Sequence, residues 1–219
     1  MTQVIACLTP QGIVLASDGR ATWFGATGET GHFPLKKIIP LNSHVALVSA
    51  GAGWGVKLGI AFQEFVQMKR IDGVEAIWQY ARPFFAEQLM RVDEKRRADS
   101  GWPQPEDLPL PGIYVVLAGY SFKDRQRPYH LHFLGRDEDG APLTVYPVSD
   151  ILVMPRSLSM ERRLDAQCKG GANLDQILSL CQSFLLKRSS EAEEVGPPFW
   201  LATITSAGFR EITIGEQER

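Results

Sequence analysis

Thr2-Gln-Val-Ile-Ala-Cys-Leu-Thr-Pro-Gln-Gly-Ile-Val-Leu-Ala-Ser-Asp18-Gly-Arg20-Ala-Thr22 is the stretch from which the fold is read. Apolar and β-branched residues fill 4–8 and 13–16, and Pro10-Gln11-Gly12 supplies a turn, so the segment reads as two short strands joined by a tight connection. A third and fourth strand follow between Lys36 and Gly51, broken at Asn42-Ser43. After Gly51 the pattern changes to a helical period through Trp54, Leu58, Phe62, Phe65 and Val66. A second long helix starts at Asp72-Gly73 and ends in the charged run 91–99, with Pro83 expected to kink it or to sit near its first turn.

Residues 100–112 form a proline-rich connector, read as a loop rather than a domain boundary because strands resume beyond it. Strands are expected at 113–122, 129–134 and 143–148, with Asp137 to Gly140 as a turn between the last two. Helices fit 157–167 and 173–188, the second capped by Asn173. The chain closes with strands at 199–205 and 209–214. The order strands, two helices, strands, two helices, strands suits an α+β, four-layer α-β-β-α sandwich with two stacked, mainly antiparallel sheets, in one domain spanning residues 1–219.

Composition narrows the function classes. The 219 residues suffice for one domain with a full core. Twenty-three Lys and Arg against 25 Asp and Glu give a formal charge of -2, which offers no reason to expect nucleic acid or a membrane surface as partner. No apolar run reaches the roughly 18 residues of a membrane span, and no basic stretch leads into an apolar signal region, so cytoplasm is the expected location. Cys7, Cys168 and Cys181 are odd in number, lack metal-ligand spacing, and read as mostly buried free thiols. His130 and His132 share a strand face, but no third ligand is evident and no metal is expected. His32 and His44 show no obvious acidic partner, so a hydroxyl–imidazole–carboxylate triad is not expected. The Gly51-Ala-Gly53-Trp-Gly55 cluster lacks the spacing and the Lys-Ser/Thr of a phosphate loop. No cofactor is expected.

Thr2 directly follows Met1. Removing Met1 gives one residue both a hydroxyl and a free amine. A threonine hydroxyl needs an adjacent base to become a nucleophile, and an α-amine of pKa about 7.7–8.0 can serve near neutral pH. Asp18 and Lys37 read by themselves as an ion pair at strand ends, and Gly51 as a strand-to-helix turn.

Together, Thr2, the segment Ala16-Ser17-Asp18-Gly19-Arg20-Ala21-Thr22, Lys37 and Ala50-Gly51 resemble, in order and spacing, the proteasome β-subunit family of N-terminal-nucleophile hydrolases, most of all its small bacterial proteasome-like members. The loop between Asp18 and Lys37 is a few residues longer than the family pattern. The resemblance implies a threonine-type endopeptidase with Thr2 as nucleophile, Lys37 as the active-site cation in preference to Lys36, Asp18 as its orienting carboxylate and the Gly51 N–H facing the oxyanion. It implies that Thr22 pairs with substrate backbone, that Arg20 lies near the site, and that Ala21, Leu35, Ile39, Ser49 and Gly53 line a roomy first specificity pocket. Lys57, if directed inward, would favour an acidic side chain.

The resemblance also implies peptide or unfolded-protein substrates and a homo-oligomeric ring, with stacked seven-membered rings among the arrangements it allows. It leaves any unfoldase partner unidentified. The family's propeptide has no counterpart, so exposure of Thr2 is expected to rely on a methionine aminopeptidase. The family's amine-contacting serine is expected at Ser157 or Ser159, and its last acidic residue is replaced within Arg188-Ser189-Ser190. Two alternatives stay open: a catalytically silent ring scaffold, and a small-molecule amidase on the same fold.

Overall fold

The computed structural model describes residues 2–24, 30–98, 112–138 and 140–214. Met1, most of the proline-rich connector and one residue of the Asp137–Gly140 turn fall outside the described residues. The fold is α+β, with four helices and antiparallel sheets among the described residues.

The opening stretch forms β1 (Val4–Thr9) and β2 (Gly12–Ser17), paired in antiparallel register from Val4 opposite Ser17 to Thr9 opposite Gly12. Later strands complete their sheet: β10 (Ile151–Met154) joins the free edge of β1, while β11 (Phe199–Thr205) and β12 (Gly208–Ile214) extend beyond β2, giving the order β10-β1-β2-β11-β12. A second five-stranded sheet runs β5 (Ile38–Pro40), β6 (Val45–Gly51), β7 (Ile113–Tyr120), β8 (Tyr129–Arg136) and β9 (Thr144–Tyr146). Between Asp18 and Lys37, where sequence reading expects a loop, β3 (Arg20–Phe24) and β4 (Thr30–Pro34) pair as a separate two-stranded sheet.

Side-chain alternation explains how the layers stack. Val4 and Ala6 of β1, with Ile13 and Leu15 of β2, face Ala46, Val48, Val116 and Ala118 of the second sheet. The intervening Ile5, Cys7, Val14 and Ala16 point the other way, onto α3 (Leu158–Lys169) and α4 (Leu174–Glu191). The outer face of the second sheet, through Val45, Leu47, Val115 and Leu117, packs on α1 (Trp54–Lys69) and α2 (Val74–Ala98). Both sheets are therefore apolar on both faces, which is why their strands read as near-continuous apolar runs.

The helix ends follow local chemistry. Asn173 caps α4 in a reciprocal box with Gln176, each side chain bonding the other's backbone N–H at 2.9 Å. Pro83 lies well inside α2 rather than in its first turn. Ala81 and Phe85 on either side of it stay buried against the second sheet. No helix among the described residues is long and apolar enough to cross a membrane.

Candidate active site

Antiparallel pairing gathers the candidate residues at one end of the two sheets. The start of β1 lies beside the end of β2, and the start of β5 beside the end of β6. That end therefore receives Thr2 just before β1, Asp18 just after β2, Lys37 just before β5 and Gly51 at the end of β6. Asp18 is locked to the first sheet by a reciprocal backbone exchange. Its N–H donates to the Gln3 carbonyl at 3.1 Å, and its Oδ1 accepts the Gln3 N–H at 2.7 Å. Lys37 is held in the second sheet, where its carbonyl accepts the Ser49 N–H at 3.0 Å.

Across the gap between the sheets, Lys37 Nζ donates to Asp18 Oδ2 at 2.9 Å and to the Arg20 carbonyl at 2.7 Å. Asp18 Oδ2 also accepts the Arg20 N–H at 3.1 Å. The side chains of Lys37 and Asp18 are 3% and 0% exposed. Burial pulls the Lys37 ammonium below its usual range and pushes the Asp18 carboxyl above its own, and the contact between the two opposes both shifts. The competing lysine has a different role: Lys36 pairs with Glu211 at 2.6 Å and lies over the Trp200 ring.

Lys37 forms part of the floor of a groove of about 1800 Å³. Thr2, Lys37 and Gly51 line it, as do Ala21, Thr22, Leu35, Ser49 and Gly53. Asp18 stands behind Lys37, and it reaches the groove through that ammonium. Gly51 has φ +87°, and a Cβ there would overlap the Gly112 carbonyl oxygen, so the backbone conformation requires glycine. Gly112 in turn accepts the Ala52 N–H at 3.0 Å. Ser49 is buried with no hydrogen-bond partner on its Oγ among the described residues, and it is pressed against Gly55, where any Cβ would overlap it. The pocket base is thus closed by α1 packing directly on the strand.

Two residues expected at the site, Ile39 as pocket lining and Ser157 as amine contact, lie elsewhere. Ile39 alternates away from the groove into the core under α1, where a Cβ on Gly59 would meet its Cδ1. Ser157 is the N-cap of α3: its hydroxyl accepts the Met160 N–H at 3.4 Å and sits 3.2 Å from Ser159 Oγ. Its neighbours Pro155 and Arg156 reach the groove instead. Lys57 does border the groove, exposed, with its ammonium over the Trp54 ring at 4.7 Å.

Sequence reading missed one wall. His32 has an acidic neighbour after all: its Nε2 lies 3.6 Å from Glu193 Oε1, and its Nδ1 lies 3.1 Å from Thr22 Oγ1. Glu193 is 86% exposed, so the triad-like order carries no buried charge to hold an imidazolium. The contact serves instead to tie the β3–β4 hairpin to the segment after α4, as does the Arg20 guanidinium, which donates to the Glu193 carbonyl. Trp23 and Phe33, both exposed, add an apolar surface to the same wall. Glu193 is remote from β3 and β4 in the chain, so no local pattern announces these contacts.

His130 and His132 do share a face, with ring centroids 6.0 Å apart, and His132 stacks on Trp78 at 4.3 Å. Among the described residues no group of three His, Cys, Asp or Glu is placed to hold a metal ion. No protein-family model matches this sequence, and no curated protein matches it either.

Proposed function

We propose that the chain is a proteasome-like N-terminal threonine hydrolase that cleaves peptide bonds through Thr2 once Met1 is removed, on an N-terminal-nucleophile hydrolase sandwich. One observation carries the reading: a buried Lys37–Asp18 pair whose lysine lines the same large groove as Thr2. Burying two charges costs several kcal/mol per ion, about as much as their attraction returns, and apolar residues of the same volume are often as stabilising or more so. A pair kept at that cost at the groove of a hydroxyl nucleophile is better explained by chemistry than by stability.

In this mechanism Thr2 Oγ1 attacks the scissile carbonyl carbon, and its proton passes to the freed Thr2 amine, directly or through a water. An ammonium has three donors. Asp18 and Arg20 take two of those on Lys37, and the third is the one that favours the Thr2 alkoxide. The N–H of Gly51, at a position where no side chain fits, faces the developing oxyanion. The leaving amine takes a proton from the Thr2 ammonium. Water, deprotonated by the same amine, then hydrolyses the acyl ester and restores Thr2.

Groove size favours a peptide over a small amide. Its volume of about 1800 Å³ exceeds the roughly 300–1,000 Å³ of a small-molecule pocket. The β3–β4 hairpin beside Thr22 pairs with no third strand among the described residues, and such an edge suits an extended chain. Assembly into a homo-oligomeric ring, with entry restricted to unfolded or short substrates, belongs to the same reading.

The test is intact mass spectrometry with and without a peptide epoxyketone, which needs both the hydroxyl and the amine of an N-terminal threonine. The expected result is loss of Met1 and a one-to-one adduct that is absent in Thr2→Ala. Retained Met1 with no adduct overturns the hydrolase reading and leaves a ring scaffold as the better description. An adduct without peptide cleavage would move the substrate to small amides.

A further inference from the structure

The groove uses none of the three thiols. They lie on the other face of the first sheet, under α3 and α4. Cys7 is in the middle of β1, paired to Val14 of β2 on one side and Ile151 of β10 on the other, and is fully buried. Cys181 is buried in α4, and Cys168 is partly exposed in the last turn of α3. The sulfurs of Cys7 and Cys168 are 3.6 Å apart. We propose that Cys7 and Cys168 form an oxidation site, at which a hydroperoxide converts the two thiols into an intramolecular disulfide that ties β1 to the end of α3.

Geometry assigns the roles. A disulfide needs its sulfurs at about 2.05 Å, so they must close by about 1.5 Å. β1 is fixed by a ladder on each edge and cannot supply that movement. The end of α3 can, because Cys168 is followed by Lys169, Gly170 and Gly171. Gly171 turns the chain at φ +77° with open space where a side chain would be. Exposure makes the same assignment. Cys168 is the thiol that a dissolved oxidant meets, and Cys7 is the buried partner 3.6 Å behind it. Burial pushes the Cys7 thiol far above its usual range and Cys181 up to about 12, so neither competes as the first nucleophile.

The steps balance with a hydroperoxide as the only oxidant. The Cys168 thiol ionises, its thiolate attacks a peroxide oxygen, the O–O bond breaks, and the leaving oxyanion takes up the proton the thiol released. Cys168 becomes a sulfenic acid. Cys7 Sγ then attacks the sulfenic sulfur. The S–S bond forms, the S–O bond breaks, and hydroxide leaves with the Cys7 proton as water. Two thiols lose two electrons, and hydrogen peroxide is reduced to two waters.

The test uses the full chain, reduced, treated with dilute hydrogen peroxide under native conditions and quenched with catalase. It is then denatured and alkylated with N-ethylmaleimide without reductant. The expected product is two hydrogens lighter, takes one maleimide on Cys181 rather than three, and yields a cross-linked peptide pair containing Cys7 and Cys168. Its urea midpoint rises, because the bridge closes a long loop of the unfolded chain, and dithiothreitol reverses the rise. Cys168→Ser should form no link and take two maleimides. The wild-type peptide map decides the matter even if that variant fails to fold. Uptake of three maleimides after peroxide overturns the proposal. So does a link through Cys181 or between chains, or a Cys168 oxy-acid beside a free Cys7.

Discussion

Replacing Lys37 with methionine removes the ammonium and keeps most of the side chain's volume, so it isolates what the charge does. Asp18 would remain fully buried, with the N–H groups of Gln3 and Arg20 as its donors. Stranding one member of a buried pair costs about 3–5 kcal/mol. The two surviving N–H bonds point to the lower end, about 3 kcal/mol. With a urea slope of about 3 kcal/mol per molar, the unfolding midpoint should fall by about 1 M. The loss should depend on pH in a fixed direction. Burial already raises the Asp18 carboxyl, and removing Lys37 takes away its largest opposing influence, so its folded value rises further. A carboxyl whose folded pKa exceeds the unfolded value of about 3.9 makes the fold weaker as pH rises through the folded value. The deficit of Lys37→Met against wild type should therefore widen as pH rises above the unfolded carboxyl value of about 3.9. Adding Asp18→Asn removes the stranded charge and keeps an acceptor for Gln3, at the cost of leaving the Arg20 N–H unpaired. The double variant should recover about 1–2 kcal/mol of the loss. Both variants should be inert to the epoxyketone. Urea titrations followed by tryptophan fluorescence at several pH values check this. A Lys37→Met protein within about 1 kcal/mol of wild type throughout, or a deficit that shrinks as pH rises, would refute the account of the pair as buried and costly.

Two further predictions use other parts of the molecule. Gly51→Ala should cost about 3 kcal/mol or more, because it adds a left-handed φ penalty to overlap with the Gly112 carbonyl, and should abolish adduct formation. An adduct at wild-type rate would remove Gly51 from the site. His132 is pulled down to about 4, by burial and then by the neighbouring His130, so the fold favours its neutral form. Its contribution is present above the unfolded pKa of about 6.5 and lost as pH falls towards 4, by about 1–2 kcal/mol after allowance for its partial exposure. His132→Phe keeps a ring against Trp78 and should flatten that acid-side decline; an unchanged pH profile would assign the decline to other groups.

How legible the molecule was depended on how local the physics is. β1 and β2 were readable because Val4–Leu8 and Ile13–Ala16 are apolar runs bracketing a Pro-Gln-Gly turn, and α4 because Asn173 reads as its cap. The β3–β4 hairpin was not. Its residues are largely exposed, so they carry no apolar alternation, and the Trp23 ring crosses Gly31 in place of a buried face. β10 was missed because four residues on a sheet edge are too short for a period to show. The resemblance implied Ser157 or Ser159 as the amine contact, from a serine before the third helix; in the structure the Ser157 hydroxyl caps that helix.

From the sequence alone came the order of strands and helices, the two apolar layers they imply, and a short set of polar residues at strand ends. Strand order follows from nearest-neighbour chemistry, and antiparallel pairing then gathers those ends together. The Asp18–Lys37 pair was already expected from the sequence; tertiary structure supplied its physical reason and the contacts that no local pattern carries. Lys37 rather than Lys36 faces Asp18 because the residue before β5 points between the sheets while its neighbour points to Glu211. Ile39 left the groove because strand alternation sends it into the core beneath α1. The contacts His32–Glu193 and Cys7–Cys168 join residues 161 positions apart in each case, where no local propensity acts and only the packing of one layer on another sets the distance.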